Sequence, residues 1–205
     1  MTDPSQSARD DLAFVRALVS EGGQVQASAG EALLAGGLCY GLQCLVQWAL
    51  MVSGWPAPPI VHLTAGFLPT VIFVALIIWI VRRNGAVAPQ GMAMRAFNAG
   101  FGSTGLATLT TAAIFGYLAW RRQDMGVWLF HPLMVAVLQG AAWYIAFAIR
   151  RRGWLALVSV GWFATAILGA LMLERIDLFI LLIGAALLLL MALPGWILLR
   201  GAANS

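Results

Sequence analysis

The residues that could do chemistry are few and scattered. Gly100, Gly102 and Gly105 in "GFGSTG" form a GxGxxG, the pattern with which a strand-to-helix turn cradles a pyrophosphate. That chemistry needs a strand before the glycines and a βαβ unit around them. Here an arginine-bearing loop precedes them and an apolar run follows, which excludes the nucleotide reading. Ser103 and His131 are a nucleophile and a base by type. They fall near opposite ends of consecutive apolar runs, about 15–20 Å apart along a helix axis at ~1.5 Å per residue. A working pair must lie within about 3 Å. There is no HExxH, Walker or deaminase pattern, and the expectation is a protein that is not an enzyme.

His62 and His131 lie at similar depth, each near the start of an apolar run. Two histidines could hold a metal or the two faces of a haem. With no Cys or carboxylate beside them they form an incomplete site, and no cofactor or metal is expected. The bis-histidine reading stands only as a remote third alternative. Cys39 and Cys44 are five residues apart in one run. On a helix this separates their Cα atoms by about 8–9 Å, beyond disulfide reach. They read as small apolar residues.

The remaining polar groups are uncharged. Tyr40, Gln43 and Gln47 recur at spacings of three and four and so share one helix face. His62 and Thr70 lie in the second run, His131 and Gln139 in the fourth. An amide in hydrocarbon must bond to a neighbouring helix or line a wet cavity. No Asp or Glu lies deep in any run, which weakens proton coupling through a buried carboxylate and a cation pore with an acidic ring.

Composition dictates the elements that carry these residues. The chain has 205 residues, 61% of them hydrophobic and 10% charged. A soluble domain has about 25% charged residues, so too few remain to cover a wet surface. Six apolar runs approach the ~20 residues that span hydrocarbon: 32–55, 60–81, 97–120, 127–149, 154–173 and 178–199. The fold class expected is therefore an all-α integral membrane protein, a bundle of six transmembrane helices over residues 32–200. Residues 1–31 form a cytoplasmic segment in which an amphipathic helix, about residues 9–20, lies on the membrane and ends at Gly22 and Gly23. A solvated helix packed on the protein's own loops is the alternative. Residues 201–205 form a cytoplasmic tail. The acidic start of the chain lacks a signal-peptide core, so the first span is expected to act as an uncleaved insertion signal.

All 12 basic residues are Arg. With the N-terminus inside, the inner segments hold Arg9, Arg16, Arg82, Arg83, Arg95, Arg150, Arg151, Arg152 and Arg200, and the outer links only Arg121, Arg122 and Arg175. The positive-inside rule gives an N-in, C-in topology in a bacterial inner membrane. These clusters at run ends also explain the pI near 9.8 without nucleic acid. The ends "VRRNG", "IRRRG" and "LLRG" suggest three hairpins, or simply that inward ends collect Arg and Gly.

Counting in fours changes the meaning of the glycines. Gly100, Thr104, Thr108, Ala112 and Gly116 form one unbroken row, and small residues at this spacing admit a close neighbour helix. The third helix is thus expected at the bundle centre. Gly161, Thr165 and Gly169 repeat the device in the fifth helix, Gly37 and Gly41 in the first. The bulky "LLLLMAL" of the sixth suits a lipid-facing position. Arg82, Arg83 and Arg95 near a helix start could hold a lipid headgroup phosphate, or serve only as topology signals.

Two functional readings follow. One is a small transporter or channel for a small polar solute, its path formed by Tyr40, Gln43 and Gln47 facing Thr104 and Thr108, with Gln139 nearby. The other is a scaffold or accessory subunit, in which the same residues are interhelical contacts. The partners implied are membrane lipid and either a second copy or another membrane protein.

Overall fold

Gly54 and three prolines decide where the first helix stops. The computed structural model describes the backbone of residues 4–84 and 92–203, and side chains over 27–83, at 96 and over 99–201. Helix α1 runs without a break from Pro4 to Ser53. Gly54 then adopts a left-handed φ of 62°, the conformation that ends helices and that only glycine takes without strain. Pro56 and Pro58 follow, and Pro59 opens α2 (Pro59–Asn84) at the one helical position that needs no N–H bond. Then come α3 (Met92–Arg122), a 3-10 turn (Met125–Leu129), α4 (Phe130–Arg150), α5 (Gly153–Leu171), α6 (Ile176–Leu187), a π turn (Leu188–Ala192) and α7 (Leu193–Ala203). Among the described residues every regular element is helical.

Five stretches are long and apolar enough to cross a membrane: Ala27–Ser53, Pro59–Arg83, Met125–Arg150, Gly153–Leu171 and Ile176–Gly201. They match five of the six expected runs to within a few residues. The exception is α3, whose interior mixes Gly, Ser, Thr and Asn with its apolar residues. Gly22 and Gly23 lie inside α1 rather than ending a separate surface helix. Glycine lowers helix stability by only ~1 kcal/mol per residue relative to Ala, which flanking turns can absorb. The side chains of residues 9–20 lie outside the described residues, as do those of 202–205.

The core is shared by α1, α4, α5 and the α6–α7 rod. Its larger cluster joins Leu33 of α1, Ala136, Trp143 and Ala146 of α4, Leu155, Val158, Trp162 and Ala166 of α5, and Ala186 and Leu198 of the rod. A second joins Leu133 to Phe179 and Ile183, with Cys44 packed against it. Two helices stand outside this core. α2 makes its extended contact with α1, and α3 with α4 and the preceding edge of the 3-10 turn.

Two expectations are corrected here. α3 is not central: its row of small residues does face a neighbour, but that neighbour is α4 together with the 3-10 turn before it. The sixth helix is not lipid-facing all round: Leu189 and Leu193 are exposed, but the opposite side of the α6–α7 rod packs on α1 between Gly30 and Cys44. The glycines that allow this are on α1 and the rod themselves. A Cβ on Gly37 would meet the Ala192 Cα at 2.8 Å. One on Gly195 would meet the Leu34 nitrogen at 2.6 Å and the Gly30 oxygen at 2.8 Å. One on Gly184 would meet the Cys44 Cβ at 2.9 Å. A row of leucines is bulky on average, yet Gly184, Ala192 and Gly195 leave one face of the rod bare enough for backbone-to-backbone approach.

The π turn has a local cause. Pro194 lacks the N–H that would bond the carbonyl four residues back, that of Leu190. The ladder widens there, and Trp162 of α5 donates its indole N–H to the Leu190 oxygen at 3.1 Å. In hydrocarbon a freed carbonyl must be met by protein, so the proline and the tryptophan act together. α2 carries Pro69 in mid-helix. There Gln43 of α1 donates from Nε2 to the oxygen of Gly66, in the turn before the proline, at 2.9 Å.

Candidate functional site

The uncharged polar residues of the spans are distributed over two separate seams. The first is α1 against α2. Gln43 bonds Gly66 across it, and the Tyr40 and Phe73 rings meet edge to face at 5.3 Å. Gly36 makes room, since a Cβ there would meet the Phe73 ring at 3.2 Å. Gln47 is half-buried on the same face. At the Glu31 end of this seam, Arg83 Nη2 bonds both carboxylate oxygens of Glu31 while its guanidinium stacks 4.5 Å from the Trp79 ring centre.

The second seam is α3 against α4. Thr104 is buried, and its hydroxyl donates to Gly100 O four residues back at 2.9 Å. Thr108 and Ala112 are half-buried; the Thr108 oxygen accepts from Thr111 at 2.9 Å. Cβ atoms on Gly100 and Gly116 would lie in ordinary contact with Ile145 and Trp128, at 3.7 and 3.5 Å. Gly102 and Gly105 face the other way, with nothing within 4 Å.

The structure thus brings Tyr40, Gln43 and Gln47 to α2, and Thr104 and Thr108 to α4. α1 and α3 share no extended contact, so the two halves of the expected polar path do not face each other. Of the remaining packing residues, Gly161 and Gly169 lie close against other elements. A Cβ on Gly161 would meet Leu190 at 2.9 Å, and one on Gly169 would meet Leu133 at 2.7 Å. Thr165 is buried and donates to Gly161 O at 2.8 Å.

The histidines are also apart. His62 is exposed on α2. His131 is half-buried on α4, with Nδ1 3.3 Å from the Thr111 hydroxyl and its ring 4.9 Å from that of Trp128. α2 and α4 share no extended contact, and no cluster of three or more His, Cys, Asp or Glu occurs among the described residues. Of the proposed anion cluster, Arg82 is exposed, Arg83 is engaged by Glu31, and the Arg95 side chain lies outside the described residues. Arg200 stacks on Trp196, its guanidinium carbon 3.8 Å from the ring centre.

Three residues hold the interior together in ways not read from the sequence, which places Trp143 among the interfacial aromatics. Ser159 is buried and donates to Gly140 O of α4 at 2.8 Å, where Gly140 leaves room for the Phe163 ring. Trp162 bonds Leu190. Trp143 is fully buried between the Phe101 and Trp154 rings, at 5.3 and 6.1 Å. Pro194 four residues after Leu190 was the one visible signal for Trp162's role. Compared with protein-family models, curated proteins and solved structures, the chain matches none.

Proposed function

We propose that this chain is a non-catalytic scaffold or accessory subunit of a bacterial inner membrane, with six spanning helices and both termini cytoplasmic. One observation carries the reading. Among the described residues α3 alone of the long helices lacks a span-grade apolar stretch, yet its extended contacts are with α4 and the 3-10 turn alone, and it turns Gly102 and Gly105 to open space. Its hydroxyls are met within the helix, Ser103 by Gly100 O and Thr110 by Leu106 O. Such a helix tolerates lipid, but its outer face is better suited to another helix at close range.

α3 counts as the sixth span by length, since 31 residues reach about 46 Å at ~1.5 Å each. The orientation rests on arginine. Arg82, Arg83, Arg150, Arg151, Arg152 and Arg200 cluster at one set of helix ends; at the other, Arg121, Arg122 and Arg175 are diluted by Asp124, Glu174 and Asp177.

Cysteine crosslinking in native membranes tests this reading. With Cys39 and Cys44 replaced by Ala, Gly102→Cys and Gly105→Cys are expected to give discrete adducts, and Leu157→Cys and Ile167→Cys none. Adducts from all four positions alike, or from none, would overturn it. A transporter or channel for a small polar solute is the second reading, favoured by Gln43 Oε1 and Gln139 Oε1, both buried without a hydrogen-bond partner. Glycerol or urea flux into proteoliposomes that Gln139→Met abolishes would establish it over the first.

A further inference from the structure

Two buried polar atoms of opposite character sit one turn apart on α4. The indole Nε1 of Trp143 is a donor and the Oε1 of Gln139 an acceptor. Neither has a hydrogen-bond partner among the described residues, and neither reaches the surface. Trp143 is 0% exposed. A buried group left unmet is costly, and inside a bilayer no bulk water relieves it. Residues four apart project to the same helix side, their Cβ atoms about 5–6 Å from each other. The two groups do not bond each other, and one small bridging group between them would meet both.

The surroundings restrict what that group is. Trp143 belongs to the same core cluster as Leu33 of α1, and Leu133 to the cluster on which Cys44 packs. Gln139 itself lies near the middle of the Met125–Arg150 span. The ionic side chains of α1, α4 and α5 that are described are Glu31, near the start of the Ala27–Ser53 span, and Arg150 to Arg152, at and just beyond the end of α4. A charged ligand would have no counter-charge at this depth and would bear the full desolvation cost. Phe101, Trp154, Leu155 and Val158 give the site apolar walls.

We propose that Trp143 and Gln139 form an intramembrane binding site for one uncharged hydroxyl group. Its oxygen accepts from Trp143 Nε1, and its hydrogen is donated to Gln139 Oε1. The hydroxyl belongs to a resident water or to an alcohol-bearing solute; either chemistry satisfies both atoms. The site stands apart from the scaffold reading: loss of crosslinks at Gly102 would leave it intact.

The test uses the full chain labelled with 15N-tryptophan in lipid nanodiscs, with Trp143→Phe to assign the indole resonance. The Trp143 N–H signal is expected at the downfield, hydrogen-bonded position, and to move upfield in Gln139→Met, which keeps length and removes the acceptor. A cross-peak to water identifies water as the source. A saturable shift on adding hexanol, lost in Gln139→Met, identifies an alcohol. An upfield signal that ignores both Gln139→Met and hexanol and shows no water cross-peak would overturn the proposal. So would a downfield signal that Gln139→Met leaves in place. Thermal unfolding gives a second readout. Trp143→Phe is expected to lower the melting temperature, whereas a rise would mean the donor was unmet and the site empty.

Discussion

Replacing Gly195 by Ala should destabilise the protein, although alanine is the better helix former. The new methyl would stand 2.6 Å from the Leu34 nitrogen, 2.8 Å from the Gly30 oxygen and 3.1 Å from the Leu33 carbonyl carbon. Carbon contacts settle at about 3.5–4.0 Å, so α1 and α7 would have to part by roughly 1 Å. All three obstacles are backbone, and no rotamer change relieves them. Overpacking of this kind costs about 1–3 kcal/mol. Helix propensity returns ~1 kcal/mol, leaving a net loss of up to about 2 kcal/mol. Gly102→Ala is the matched control. Nothing lies within 4 Å of its Cβ position, so only the propensity gain of up to ~1 kcal/mol remains. Helical circular dichroism during heating in mixed micelles reads the difference. For a chain of this size ~1 kcal/mol moves the midpoint by about 2–4 °C, so Gly195→Ala should melt several degrees below Gly102→Ala. Equal midpoints, or Gly102→Ala the lower, would refute the packing of α1 on α7.

Other expectations follow from single contacts. Trp162→Phe removes the donor that meets Leu190 O and should cost about 1–3 kcal/mol. In a Pro194→Ala background the restored N–H can bond that carbonyl itself, so a double-mutant cycle should show the loss shrink. Ser159→Ala breaks the bond to Gly140 O and should lower stability by about 1 kcal/mol, measured by the same unfolding. Glu31→Gln removes the charge that holds Arg83. The pair is partly exposed, so the loss should stay within ~1 kcal/mol, and stability should then cease to fall as salt is raised.

Hydropathy made the spans legible because bilayer thickness imposes a length on every crossing segment. It identified five of them to within a few residues, the first run ending at 55 where the helix stops at Ser53. Small-residue spacing identified faces that pack: the row through Thr104 does meet a neighbour, as do Gly37, Gly41, Gly161 and Gly169. It could not say which neighbour. A glycine row is an invitation addressed to any helix, and short links permit several bundle orders. α3 was therefore placed at the centre when its row meets α4 from outside. The leucine run misled for a related reason. Average bulk hid the bare strip formed by Gly184, Ala192 and Gly195, whose spacing drifts across the π turn. Pro194 announced that turn, but its carbonyl's partner, Trp162, lies 28 residues away. The polar residues were read onto correct faces and joined into one path because their partners depend on tertiary order.

That order is tested most directly by disulfide formation in membranes. A Cβ on Gly184 would sit 2.9 Å from the Cys44 Cβ, close to the ~3.5–4.5 Å of a disulfide. In a Cys39→Ser background, Gly184→Cys is expected to crosslink rapidly to native Cys44 under mild oxidation. Gln43→Cys with Thr104→Cys, in a chain also carrying Cys44→Ser, is expected to give no intramolecular crosslink. The reverse pattern, with residues 43 and 104 joined and 44 and 184 free, would contradict the arrangement and restore a polar path between α1 and α3.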